Sequence, residues 1–462
     1  MPGSILGTAV RRVEDPDLLV GDARFVDDLT LEGALHLVFV RSTYAHARIV
    51  SIDTGEARAL PGVAAVFTAA DLQLPPYEGL MTLNDKCKRP PLADGKVRFV
   101  GDAVAAVLAE TRTAAVDAAE AVIVEYDPLP AVVDPEAALA PDAPLQFEEL
   151  GTNLAAAIRP RSADDVLAGA DVVARARIEN QRIAVMPMEG SAIAVLPGDD
   201  GDGHELTVYV STQMPHGFAG KVAPMFDLEP ARVRVIAPHV GGAFGGKPGL
   251  AAEHCVAVAA ARRLHRPVKW VETRSENLIA MPHGRGQVQY AELGCKRDGT
   301  IVGMRVRIVG DAGAYAGFGG ALAMGPTRVM AQGVYRIPKI SYECAIALTN
   351  TTPMGAFRGA GRPEAAAMLE RMMDIAAAKL GIDAIEMRRR NFLQPDQFPY
   401  TTVMRANYDS GDYDRALTEA LRAAGYDDLR REQRARRVHG DRRLLGIGVS
   451  AYVEITAGGG GG

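Results

Sequence analysis

The chain has 462 residues, 48% of them hydrophobic and 23% charged, which is long enough for two or more domains and too apolar for a disordered polymer. Asp plus Glu number 57 against 51 Lys plus Arg, a net charge of −6, so the basic footprint of a general nucleic-acid binder is missing. The four cysteines (Cys87, Cys255, Cys295, Cys344) are far apart with no Cys-x-x-Cys pair, which argues against a disulfide scaffold, a clustered zinc site or an iron–sulfur site built by this chain alone.

Met1-Pro-Gly-Ser-Ile-Leu-Gly7 lacks the basic-then-apolar pattern of a secretory signal, and no run reaches the roughly 18 apolar residues that a membrane helix needs. A cytoplasmic protein with no membrane span is expected. The first segment, residues 1–140, reads as a small mixed α/β unit. Ala34 to Val40 and Val97 to Leu108 have the β-branched character of strands, the second interrupted at Gly101-Asp102. Thr111 to Ala121 is Ala-rich and helical in composition, and Val122 to Tyr126 returns to a strand. The Pro/Ala/Asp-rich stretch from Pro135 to Pro144 reads as a linker and domain boundary.

A second unit, residues 151–462, alternates strands and helices. His204 to Thr212 and Ala231 to Ala237 read as strands, Ala251 to Leu264 as a helix ending in Arg262 and Arg263, and Val268 to Thr273 as a strand. Pro363 and Gly381 bracket a further helix, whose stripe of Met368, Leu369, Met372, Ile375 and Ala376 suits a core face. The basic run Arg430 to Arg437 suits a solvated helix face. Gly448 to Thr456 reads as a strand, followed by the glycine run Gly458 to Gly462. That ending suggests a fragment of a longer protein.

Two glycine-rich loops carry the chemistry. In Val235-Ile-Ala-Pro-His-Val-Gly-Gly-Ala-Phe-Gly-Gly-Lys-Pro-Gly249 a strand feeds a loop and then a helix, an arrangement that lets backbone N–H groups approach an anion, a pterin edge or an oxo group. Gly241, Gly246 and Lys247 fit the Gly-x-x-x-x-Gly-Lys of a nucleotide-binding loop, but Pro248 stands where Ser or Thr must hold Mg²⁺. A turn serving only tight strand–helix packing is the plainer alternative. The second loop, Asn350 to Glu364, places Arg358 and Arg362 around small residues at a helix start, apt for two-point binding of phosphate or oxo groups. Two such loops suggest a large polyanionic cofactor gripped from two sides. At the end of the 204–212 strand, Gln213 offers an amide donor that is not itself a base; alone, Gln213 and His216 read as turn residues.

Together, Thr212-Gln213, Gly241-Gly-Ala-Phe-Gly-Gly-Lys247 and Ala356-Phe-Arg-Gly-Ala-Gly-Arg-Pro-Glu364 resemble the molybdopterin-binding large subunit of the xanthine dehydrogenase and aldehyde oxidase family. Val10-Arg-Arg-Val-Glu-Asp-Pro16 with Phe25-Val-Asp-Asp-Leu29 resembles its carbon monoxide dehydrogenase-like branch, and Arg389-Arg-Asn391 and Tyr408-Asp-Ser-Gly-Asp-Tyr413 match in type and order. The resemblance implies an α+β, mixed α/β fold: an N-terminal α/β hammerhead domain, then the first part of the molybdopterin-binding domain. It implies molybdenum on molybdopterin, in the cytosine dinucleotide form, with Gln213 beside the oxo ligand. Gly241, Gly242, Phe244 and Gly245 would line the cofactor, with Arg358, Gly359 and Ala360 in the second loop. Gln213, Phe244 and Arg358 would lie near the metal without ligating it. It further implies a [2Fe–2S] small subunit and an FAD-binding medium subunit as partners, a dimer of heterotrimers, and oxidative hydroxylation of a small molecule with water-derived oxygen.

Departures from the pattern narrow the substrate. Carbon monoxide-oxidising members carry a Cys in the loop that here reads Phe357 to Arg362, and purine-oxidising members carry a Glu at Pro248 and a Phe at Ala360. An aldehyde or N-heteroaromatic substrate is therefore expected. The family's glutamate base has no match here, and neither Glu189 nor Glu454 is assigned its role; the fragment alone is expected to be inactive. The rival readings are a cofactor-free scaffold subunit and a nucleotide-binding protein.

Overall fold

Leu35–Arg41 alternates buried Leu35, Leu37 and Phe39 with half-buried His36, Val38 and Val40 and lies within a seven-stranded sheet in the computed structural model, which describes residues 7–160, 164–198 and 201–455. The opening six residues, Thr456 at the end of the expected strand, and the glycine run from Gly458 lie outside the described residues. Two compact units divide the chain, and they are interleaved in sequence: the first takes Met1–Ala131, Ala184–Pro282 and Asn350–Pro353, the second Val132–Ile183, His283–Thr349 and Met354–Gly462.

In the first unit the sheet runs in the order Val233–Ile236, Leu206–Val210, Ala192–Pro197, Val268–Val271, Leu35–Arg41, Ala103–Ala109, Val63–Thr68. Leu35 pairs with Val268 in parallel, while Leu37 opposes Leu108 in an antiparallel ladder. Every residue of Ala103–Ala109 is buried, as a continuous apolar run in a central strand requires. Helix Ala252–Leu264 packs on Ala192–Pro197 and Val268–Val271 with Cys255, Val256, Val258 and Ala260 fully buried. A three-stranded sheet of Lys96–Val97, Ala47–Asp53 and Ile123–Pro128 completes the unit. The helix expected over 111–121 is Arg112–Glu120, capped by the Thr111 hydroxyl accepting from the Ala114 N–H.

The second unit is built on a five-stranded sheet, Leu154–Ile158, Ile340–Leu348, Ile301–Gly313, Gln287–Cys295 and Val172–Asn180 in spatial order. Helix Arg362–Leu380 crosses its Val172–Asn180 and Gln287–Cys295 strands. Met368, Leu369, Met372 and Ala376 are buried as expected, and Gly381 ends the helix at φ +68°. The Pro135–Pro144 stretch opens with one helical turn, Pro135–Ala138, capped by Asp134 and packed on this sheet. The basic run lies on helix Tyr426–Val438.

One element is corrected. Residues 448–455 form no strand; Tyr452 is exposed and the segment finds no ladder partner among the described residues. The segment is held instead by individual contacts: Arg388 Nη2 donates to the Val449 carbonyl at 2.9 Å and the Ala451 N–H donates to Glu370 Oε2 at 2.8 Å. No helix among the described residues is long and apolar enough to cross a membrane.

Candidate functional site

The first glycine loop is a bend whose backbone enters the left-handed region at three positions. Gly242, Phe244 and Gly245 all have positive φ, at +98°, +48° and +102°. Phe244 is the unusual one, a bulky residue in the left-handed region with 42% of its surface exposed; such a conformation persists where the surroundings over-determine it. Gly241 and Gly246 are small for a different reason. A Cβ at Gly241 would stand 2.6 Å from the Glu189 Cβ, and one at Gly246 2.9 Å from the Met281 sulfur. The tight-packing role and the loop's special backbone therefore coexist, at different glycines.

Gln213 joins this loop directly. The Gly245 N–H donates to Gln213 Oε1 at 2.9 Å, and the Gln213 N–H donates to the Lys247 carbonyl at 3.0 Å. With its oxygen occupied, the exposed Gln213 amide presents Nε2, a donor that no described group accepts. The structure thus brings Gln213, Gly241, Gly242, Phe244 and Gly245 into one cluster within the first unit. His216 is exposed on the first turn of helix Pro215–Met225.

Lys247 turns inward. Its Nζ donates to the Glu189 carbonyl at 2.9 Å and to Ser211 Oγ at 2.7 Å, and pairs with Glu189 Oε2 at 3.1 Å. Burial lowers its pKa, and the Glu189 charge offsets part of that. Glu189 Oε2 also accepts from the Gly241 N–H at 2.8 Å and from Ser211 Oγ at 2.6 Å. One carboxylate oxygen therefore ties the loop's start, its end and the neighbouring strand together. A lysine so engaged offers nothing to a nucleotide phosphate. Glu272 Oε2 accepts from the Ser191 N–H at 2.7 Å and Asn277 Nδ2 at 2.8 Å, and burial raises its pKa to about 7.

The second loop lies in the other unit and has the same signature. Gly359, Ala360 and Gly361 have φ of +96°, +42° and +91°, immediately before helix Arg362–Leu380. Arg358 is exposed, whereas Arg362 is turned onto its own loop, 2.8 Å from Glu454 Oε1 and donating to the Gly359 carbonyl at 3.3 Å. Of the two loop arginines, then, Arg362 is committed to internal contacts, and Glu454 is its partner. Sequence reasoning missed Arg285, whose guanidinium donates to the carbonyls of Phe357 and Arg358 at 3.0 and 2.8 Å. The only signal for it is the glycine-flanked His283-Gly-Arg-Gly286. It also left the roles of Ser211 and Glu189 unassigned.

Among the described residues no group of three or more His, Cys, Asp or Glu could hold a metal ion. Within the first unit, an amide donor with its oxygen already engaged, an exposed aromatic ring and glycine backbones suit a large organic cofactor that brings its own metal ligands.

Comparison with known proteins agrees. Residues 147–392 match the molybdopterin cofactor-binding domain family and residues 20–130 the aldehyde oxidase and xanthine dehydrogenase a/b hammerhead domain. The chain is 37% identical to the carbon monoxide dehydrogenase large chain of Hydrogenophaga pseudoflava over 96% of its own length and 58% of that protein's. It is 32% identical to the nicotinate dehydrogenase large molybdopterin subunit of Eubacterium barkeri, covering 84% of this chain and 89% of that one. The quinoline 2-oxidoreductase structure from Pseudomonas putida 86 superposes with a TM-score of 0.87 at 33% identity, over 95% of this chain and 56% of that one. The chain thus spans little more than half the length of several relatives it matches. It belongs to the xanthine dehydrogenase and aldehyde oxidase family of molybdopterin-binding oxidoreductases, in the part that resembles the carbon monoxide dehydrogenase large chain.

Proposed function

We propose that this chain is the hammerhead domain (residues 1–140) and the first part of the cofactor-binding domain (residues 151–462) of a molybdenum hydroxylase large subunit. The substrate class is an aldehyde or an N-heteroaromatic compound, hydroxylated at carbon with oxygen from water. The observation that carries this reading is the Gly245 N–H bond to Gln213, because it leaves a fixed amide donor facing outward beside the left-handed Phe244. Bound molybdopterin supplies the two-electron redox chemistry. The chain's own residues would hold it: Gln213 Nε2 would be the amide donor toward it, Gly241, Gly242 and Gly245 would allow close backbone approach, and Phe244 would offer its exposed ring. In the second loop Arg358 offers positive charge and Gly359 and Ala360 permit close approach. Gln213, Phe244 and Arg358 would lie near the metal without ligating it. The loop 357–362 contains no Cys, and all four thiols are buried elsewhere, which supports a substrate other than carbon monoxide.

The finer assignments are the cytosine dinucleotide form of the cofactor and a dimer of heterotrimers with a [2Fe–2S] and an FAD subunit, in the cytoplasm. Elemental analysis of the full-length protein tests the core of the reading: about one molybdenum per chain is expected, and none would turn the assignment to a cofactor-free scaffold. Nucleotide analysis of the acid-released cofactor tests its form. A screen of aldehydes and N-heteroaromatics with a dye acceptor then reads the substrate class.

A further inference from the structure

The segment His283 to Gly286 runs beside the second glycine loop at a distance that only small residues permit. The Gly355 N–H donates to the His283 carbonyl at 2.7 Å, and a Cβ on Gly284 would stand 2.3 Å from the Phe357 Cβ. Between Gly284 and Gly286, Arg285 itself adopts φ +70°, a conformation that an arginine takes only where its side chain is held. The holding contacts all fall on one short stretch. Nη1 donates to the Phe357 carbonyl at 3.0 Å, Nη2 to the Arg358 carbonyl at 2.8 Å, and the guanidinium carbon lies 5.0 Å from the centre of the Phe357 ring.

The same Nη1 is 3.5 Å from Glu364 Oε2, with Glu364 fully buried on the first turn of helix Arg362–Leu380. Neither Glu364 oxygen has a hydrogen-bond partner among the described residues, and Arg285 is the charge that compensates it. Two successive carbonyls on one rigid fork fix the two peptide planes that flank Arg358. A lysine could reach one of them but not both, because its ammonium is a single point of donation.

We propose that Arg285 is a positioning residue of the second glycine loop: by holding the Phe357 and Arg358 carbonyls it aims the Arg358 side chain and the Gly359–Ala360 backbone at the cofactor. The inference rests on the molybdenum hydroxylase reading above.

The test uses the full-length protein as the parent with Arg285→Lys and Glu364→Gln, reading thermal melting, molybdenum per chain after gel filtration, and the electron paramagnetic resonance line shape of the dithionite-reduced sample. Arg285→Lys keeps the charge facing Glu364 and should melt close to the parent, yet retain less than a third of its molybdenum or show an altered line shape. Glu364→Gln leaves the carbonyl clamp in place and should retain parental molybdenum and line shape. Parental molybdenum content and line shape in a folded Arg285→Lys protein would overturn the proposal, as would equal loss in Glu364→Gln, which would point to helix packing. A parent holding no molybdenum would overturn the underlying reading instead, and the two failures are therefore distinguishable. If Arg285→Lys does not fold, Arg285→Gln combined with Glu364→Gln removes both charges together, and retention of parental molybdenum by that protein equally overturns the proposal.

Discussion

The Lys247 ammonium lies 3.1 Å from Glu189 Oε2, with 1% of the lysine side chain exposed. Removing one member of such a buried pair strands the other charge, at about 3 kcal/mol or more. Lys247→Met should therefore lower stability in a urea titration by that order, and Glu189→Gln by a similar amount, because it strands the buried Lys247 ammonium even though its amide oxygen can still accept from the Gly241 N–H. The same inward pairing predicts that Mg-ATP gives no binding heat in calorimetry.

Gln213 makes its side-chain contact through Oε1 and is exposed. Gln213→Ala in the full-length enzyme should leave the melting temperature nearly unchanged and lower kcat about 100-fold, the usual loss for one preorganised donor. Gln213→Glu should be no better, since a carboxylate keeps the acceptor for Gly245 but offers no amide donor. Steady-state kinetics beside a thermal melt checks both.

Phe244 sits at φ +48°, which costs a non-glycine residue roughly 1 kcal/mol. Phe244→Gly removes that strain while giving up a partly exposed ring, so the variant should be as stable as the parent or up to about 1 kcal/mol more stable. Turnover or cofactor retention should fall at the same time. A gain in both would show that the ring has no part in the site.

Burial raises the Glu272 carboxyl from an ordinary value of 4.5 to about 7, against the opposing hydrogen bonds from Asn277 and Ser191. The fold therefore favours the protonated acid. Its contribution is fully present below pH 4.5 and is lost as pH rises from 4.5 through 7, on the order of 3 kcal/mol. Glu272→Gln should flatten that part of the stability–pH curve, measured by denaturant titration at pH 5, 6, 7 and 8.

Much of the first unit is legible in residue order because its signals are local. Thr111 caps a helix, Gly101-Asp102 breaks a strand pair, and Ala103 to Ala109 is uniformly apolar. The long strands of the second unit are harder to read in the sequence, although Arg175 and Arg177, and Arg305 and Arg307, alternate with apolar neighbours. Their glycines and charges dilute the apolar pattern, and their pairing partners are distant. Gln213, Phe244 and the glycines were readable from motif chemistry. Arg285 and Glu189 were not, because what matters in them is contact with backbone atoms many residues away, and a lone arginine or glutamate has no periodicity to announce it. The 448–455 segment is the opposite case: its β-like composition is real, but it meets no ladder partner among the described residues.

The parallel pairing of Leu35 with Val268 has a consequence for synthesis on the ribosome. These partners are separated by 233 positions, so the central sheet of the first unit stays incomplete until more than half of the chain has emerged. Non-local pairing of this kind is slow to form, and an unsatisfied strand border invites adhesion to other nascent chains. A product terminated near residue 140 should therefore accumulate as insoluble material, whereas one extended past residue 282 can close the sheet before it meets a neighbour.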